Sequence, residues 1–176
     1  LGQHKRAVQD WDVYLNRKDL KRQAEARLRK GLALLAQGRA DQALRTFEDL
    51  INDRKDQEDT GLDLLPRARF GIAEAWTKRG MRDLARAAYG RYLEAHPQDE
   101  RAAQAAFAIP TLHRQEGHHE DARDAFKAFQ ARPRLTSDND AAALQAEEKL
   151  HQEALFLEAE MHTALNDHDD AKALFA

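Results

Sequence analysis

Eight histidines and 31 carboxylates, with no cysteine, define the chemistry open to this 176-residue chain. The absence of cysteine removes disulfides, thiolate metal sites and cysteine nucleophiles. His113 and His162 each stand four residues before a Gly or Asn, and His4, His119 and His168 each two after one. These five thus fall into two recurring columns around the turn residues. His118, His119 and Glu120 have a metal-like composition, yet three consecutive side chains cannot converge on one tetrahedral ion without further ligands. Adjacent acids such as Glu147-Glu148, Asp169-Asp170 and Asp99-Glu100 read as solvated helix faces. Ser137 is the only serine and lies in a polar, cap-like run, and the glycines are solitary, so neither a serine nucleophile nor a phosphate-cradling loop is present. No catalytic residue, metal site or cofactor is therefore expected, and the chain reads as a non-enzyme.

The elements that would position any site follow from composition. There are 33 Ala and 22 Leu against 2 Val and 3 Ile. Helices favour the first pair and strands the second, so an all-α fold is expected. Charged residues make up 34 %, above the roughly 25 % of ordinary domains, as in a thin fold with much solvated surface. The net charge of −3, with acids interleaved outside the basic clusters at 17–22 and 27–30, argues against a nucleic-acid reader. No apolar run spans a bilayer, so direct membrane insertion is not expected. The chain starts at Leu1 without a signal-like segment and reads as a piece of a longer protein.

A spaced pattern of turn residue, Ala five on and an aromatic four further recurs five times. Its members are Gly2, Ala7 and Trp11; Gly38, Ala43 and Phe47; Gly80, Ala85 and Tyr89; Gly117, Ala122 and Phe126; Asn166, Ala171 and Phe175. The gaps between turn residues are 36, 42, 37 and 49. Gly or Asn tolerates the left-handed conformation that ends one helix before the next. The Ala lets two helices approach, and the aromatic lies on the same face. A further helix is expected before each internal turn, over 27–37, 66–79, 103–116 and 152–165. Seven residues before the turn stand Gly31, Ala73, Pro110 and Ala159; ten before it stand Leu28, Phe70, Phe107 and Phe156. Pro110 falls inside a helix, where a kink tolerated by its neighbours is expected. Extra residues fall at 52–65 and 132–149. The first insertion is expected to prolong a helix, with Asp63 as a cap ahead of Pro66. The second holds Pro133 and the polar run 136–140, before a long helix from near Ala141 to Leu165.

This pattern resembles the tetratricopeptide repeat family across essentially the whole chain. The resemblance rests on small Gly31 or Ala73 in the first helix, the turn Gly, Ala then aromatic in the second, and Pro97 after the helix of Tyr89. The stretch 89–97, followed by the Ala-rich 101–107, is similar to repeats of bacterial periplasmic and outer-membrane-associated proteins of the division-coordinator and barrel-assembly lipoprotein type. The resemblance implies a right-handed α-solenoid of stacked helix-turn-helix repeats. It also implies that His113 and His162, and His4, His119 and His168, replace rings that in the family often pack between the two helices of a repeat. The single array divides as 1–23, 24–65, 66–102, 103–135 and 136–176, the first and last units being partial.

In such a stack the first helices line a concave groove. Exposed positions expected there include Glu25, Leu32 and Leu35, with Glu153, Glu160 and Thr163 at the other end. The partner-binding set is expected to be Arg67, Phe70, Glu74, Thr77 and Lys78 with Phe107, Thr111, Arg114 and Gln115. The phenylalanines either pack on the next repeat or form an apolar ladder for a peptide. The Lys/Asn pattern that co-chaperone repeats use to clamp a terminal carboxylate is absent. The expected function is a protein–protein interaction scaffold from a larger bacterial envelope protein, periplasmic or outer-membrane-associated, with a protein or peptide partner and self-association through the array ends. A cytosolic adaptor, or an accessory domain of a larger enzyme or secretion machine, would carry the same architecture.

Overall fold

The computed structural model describes residues 2–15, 23–52, 64–134 and 141–175. Among these residues all regular structure is helical, in nine helices with no strand. In chain order they are α1 (Gly2–Leu15), α2 (Gln23–Ala36), α3 (Ala40–Asn52), α4 (Leu65–Lys78), α5 (Arg82–Ala95), α6 (Ala102–Gln115), α7 (His119–Gln130), α8 (Ala141–Ala164) and α9 (His168–Ala173). The chain forms two compact units, Leu1–Ala88 and Tyr89–Ala176, whose boundary falls within α5.

In the first unit α1 packs on α2, α2 on α3, α3 on α4, and α2 also on α4. The second unit repeats the scheme, with α6 on α7, α7 on α8, α8 on α9, and α6 on α8. Within each unit, first helices of successive hairpins touch one another, as in a helical repeat stack.

The alanine-then-aromatic pattern supplies the core. Ala43 and Phe47 are fully buried in α3, and Ala122 and Phe126 in α7. Phe47 is gripped from two sides. A Cβ built on Gly31 of α2 would meet its ring at 2.3 Å, and one on Gly71 of α4 at 2.6 Å. Ordinary carbon contacts lie at about 3.5–4.0 Å, so only glycine admits the ring at either position. The second core joins Phe126 and Phe129 of α7 to Ala154, Leu157 and Met161 of α8. Pro110 is buried inside α6, which continues through it from Ala102 to Gln115.

Four turns share one backbone closure. Gly38, Gly80 and Gly117 have φ of 75°, 71° and 77°, and Asn166 takes the same role at 64°. In each, the N–H of the residue after the turn donates to the carbonyl five back: Arg39 to Leu34, Met81 to Trp76, His118 to His113 and Asp167 to His162, at 2.8–3.1 Å. The turn residue's own N–H reaches the carbonyl three back, at 3.0–3.1 Å. These bonds satisfy carbonyls that a helix C-terminus otherwise leaves open. Gly2, expected as a turn residue, instead opens α1.

The long helix expected from Ala141 is present as the 24 residues of α8, roughly 36 Å at 1.5 Å per residue. The helix extension expected at 53–60, the Asp63 cap and the polar run 136–140 lie outside the described residues, as do the side chains of His4 and Tyr14.

Candidate functional site

An open cleft of about 580 Å³ lies in the first unit, on the α2 side. Its floor includes Leu28 and Leu32, with Trp11 of α1 at one edge and Arg67 of α4 at another. Leu28 is buried for core packing, whereas Leu32 is only partly covered and turns apolar surface to the opening. The four-residue step between them explains the shared face. Glu25 and Arg29, also in the lining, form a side-chain pair with Arg29 Nε 2.9 Å from Glu25 Oε1. The Arg29 guanidinium also stands 5.8 Å from the centre of the Trp11 ring, within cation–π range. An apolar floor with a charged rim is the composition of a recognition groove.

The structure divides the expected partner-binding residues between two helices. Arg67, Phe70, Glu74, Thr77 and Lys78 all lie on α4 in the first unit, and of these Arg67 lines the cleft. Arg67 and Lys78 are exposed, while Phe70, Glu74 and Thr77 are half-buried. Phe107, Thr111, Arg114 and Gln115 lie on α6 in the second unit. The ring of Phe107 packs 6.0 Å from Phe126 and 5.6 Å from Phe129, joining the core of its own hairpin. Arg114 pairs with Glu160 of α8 at 3.3 Å, and Gln115 is exposed. The Thr77 and Thr111 hydroxyls each donate to the carbonyl four residues back, at 2.9 Å, as does Thr163. Their oxygens can therefore only accept from a partner. Of the neighbouring groove positions, Glu25 and Leu32 line the cleft, but Leu35 is buried at 4 % exposure and is corrected to a core residue.

A second, more apolar cleft of about 790 Å³ lies on the second unit between α8 and α9. Phe156 and Phe175 line it and are 63 % and 62 % exposed, unlike Phe107 of the same expected column as Phe156. Among the described residues no helix is long and apolar enough to cross a membrane.

The histidines separate into three kinds. His162 is buried and His119 half-buried, with His119 Nδ1 3.4 Å from Met161 Sδ, as packing rings would be. His168 is exposed, contrary to the packing role that the repeat resemblance implies for it. His113 and His118 come together with Asp121 at the α6–α7 turn, one ligand-type atom from each lying within 4.8 Å of the others. Adjacency in sequence points instead to His118, His119 and Glu120, which the fold does not bring together as a donor group. The available signal was the spacing of four and one around Gly117.

Two acids of α8 are buried, one of them Glu147, for which a solvated face is expected from sequence. Glu147 is 5 % and Glu158 2 % exposed. Glu158 accepts from Gln130 Nε2 at 2.8 Å, and burial raises its carboxyl above the ordinary carboxylate range, partly offset by Lys127 and His162. His151 lies against Phe129 with centroids 4.6 Å apart, and burial lowers its imidazole below the ordinary value.

The sequence profile of the tetratricopeptide repeat family matches residues 25–56 and 67–99, a little over a third of the chain. The first match holds the α2–α3 hairpin and the second the α4–α5 hairpin. Repeats of this family generally mediate protein–protein interaction and are typically non-catalytic scaffold motifs. No curated protein matches the chain in sequence.

Proposed function

We propose that this chain is a non-catalytic interaction scaffold that binds a partner polypeptide along its first helices. The observation that carries the reading is the first-unit cleft, where the partly covered Leu32 and Trp11 offer apolar surface above the buried Leu28, between Glu25, Arg29 and Arg67. An extended or helical peptide could bury apolar side chains on that floor and take its orientation from the charged rim. Arg67, Phe70, Glu74, Thr77 and Lys78 are the contacts we assign on the first unit, and Phe107, Thr111, Arg114 and Gln115 are a separate candidate set on α6 of the second unit. We place the scaffold in a larger bacterial envelope protein, on the resemblance of residues 89–107 to periplasmic repeats.

The test places a photo-crosslinking amino acid at Leu32 and, as a control, at Glu48, which is exposed on α3. One polypeptide should crosslink from Leu32 in the native organism and not from Glu48. Arg67→Glu should abolish the adduct with stability kept within about 0.5 kcal/mol, as for most exposed substitutions. Equal crosslinking from both positions, or an adduct indifferent to Arg67→Glu, would refute the groove. The exposed Phe156 and Phe175 support a second contact, self-association through the α8–α9 cleft. Sedimentation that shows no concentration dependence, or none relieved by Phe156→Asp, would refute that contact.

A further inference from the structure

We propose that the α6–α7 turn binds a first-row divalent cation of the zinc type through His113, His118 and Asp121. The three side chains come from separate places in the local structure: the last turn of α6, the residue after Gly117, and the first turn of α7. The backbone brings them together. The His118 N–H donates to the His113 carbonyl at 3.1 Å, and the Gly117 N–H donates to Arg114 at 3.0 Å. This closure turns the chain back so that the residues four before and one after the glycine become neighbours. The imidazole centroids of His113 and His118 are 6.3 Å apart, and His113 Nδ1 is 3.9 Å from Asp121 Oδ2.

The same closure at the other turns brings different residues together. The corresponding sets are Leu34, Arg39 and Gln42; Trp76, Met81 and Leu84; and His162, Asp167 and Asp170. Among the described residues, only the Gly117 turn forms a group of three donors close enough for an ion. His119, next in sequence, is directed to Met161 and takes no part.

The distances suit an ion after a small adjustment. Bonds of about 2.0–2.2 Å in tetrahedral geometry put neighbouring ligand atoms about 3.3–3.5 Å apart. The present atoms lie within 4.8 Å, so closure needs a movement of about an ångström. The side chains of His118 and Asp121 are 55 % and 67 % exposed and can rotate to make it, while His113, at 21 %, serves as the fixed ligand. Two imidazoles and one carboxylate suit Zn²⁺ and its neighbours, whereas Mg²⁺ and Ca²⁺ seek oxygen-rich sites. The fourth position is open to water or to Glu116, whose Oε2 lies 3.8 Å from His118 Nδ1. A bound ion would clip the end of α6 to the start of α7.

The test is calorimetric titration of the chelator-treated full chain with Zn²⁺, paired with thermal melts. One equivalent should bind and raise the melting temperature. His118→Ala and Asp121→Asn alter exposed side chains and should leave the fold intact, yet each should weaken binding at least about tenfold, since even outer-shell losses cost that much. Both should also remove the melting shift. His168→Ala, remote from the group in sequence and exposed, should bind as the parent does. Absence of one-equivalent binding, full binding by His118→Ala, or an equal loss in His168→Ala would each overturn the proposal.

Discussion

Replacing Gly31 by alanine sets two effects against each other. Alanine is the better helix residue by about 0.8–1.0 kcal/mol, so an unobstructed site gains stability. At Gly31 a Cβ would lie 2.3 Å from Phe47 Cε1, with Cζ and Cδ1 at 2.7 and 2.8 Å. The ring cannot retreat, because a Cβ position on Gly71 lies only 2.6 Å from its opposite edge, close to that glycine's backbone. Overpacking costs about 1–3 kcal/mol, and a ring confined at both edges belongs in the upper half of that range. The net expectation is a loss of about 1–2 kcal/mol once the helix gain is subtracted. Gly90, inside α5, is the control, with no atom within 4 Å of a built Cβ. Gly90→Ala should gain about 0.5–1 kcal/mol. Thermal melts followed by far-UV circular dichroism would read these as shifts of opposite sign, about 2–4 °C per kcal/mol for a chain of this length. In a Phe47→Leu background the Gly31→Ala penalty should shrink, because the two positions are in direct contact. A Gly31→Ala protein that melts at or above the parent would refute the packing argument.

Ala122→Leu should destabilise by about 1–3 kcal/mol through overpacking, because Ala122 is fully buried against α8 and its neighbours; urea unfolding measures it. Tyr92→Phe should cost about 1–2 kcal/mol by the same assay, because the buried Tyr92 hydroxyl donates to Asp99 beyond the end of α5. Stability should also fall as the pH drops below 6.5. Burial, aided by Arg134, lowers the His151 imidazole from its ordinary 6.5, so the unfolded chain takes up a proton before the folded one does. The contribution is full above 6.5 and is lost between that value and the lower folded one. His151→Gln should flatten this slope in melts between pH 5 and 7, roughly the range in which an imidazole titrates. Glu158 acts with the opposite sign, since its raised value favours the protonated folded state as the pH falls toward its ordinary 4.5.

The helical class, the turns at Gly38, Gly80, Gly117 and Asn166, and the buried Ala and aromatic positions were legible because each follows from a local rule. A left-handed turn needs Gly or Asn, and a close helix approach needs a small residue. Gly71 was not legible as a packing glycine. It lies two residues before the expected small position at Ala73, and only the fold shows that it faces Phe47. Leu35 was misjudged because a helix stripe of Leu28, Leu32 and Leu35 does not reveal which edge the next helix covers. Glu147, His151 and Glu158 were missed for a related reason. α8 separates apolar from polar residues only weakly, because its buried face itself contains Glu147, His151 and Glu158, so polarity alone misreads its orientation. His113 and His118 required the turn's three-dimensional closure, which reverses the importance of adjacency.

The shared turn also separates architecture from surface chemistry. Its closure uses only main-chain atoms and one residue able to adopt positive φ, so the flanking side chains are not needed to make it. The pairs Leu34 with Arg39, Trp76 with Met81, His113 with His118, and His162 with Asp167 occupy the same structural slot. One slot has thus accepted aliphatic, aromatic, basic and acidic residues while the backbone stayed constant. Such a slot is modular: its contents can be exchanged without redesigning the hairpin. Met81 and Leu84, 48 % and 45 % exposed beside the Gly80 turn, are the places where a new chemistry could be written at the least expense to the core.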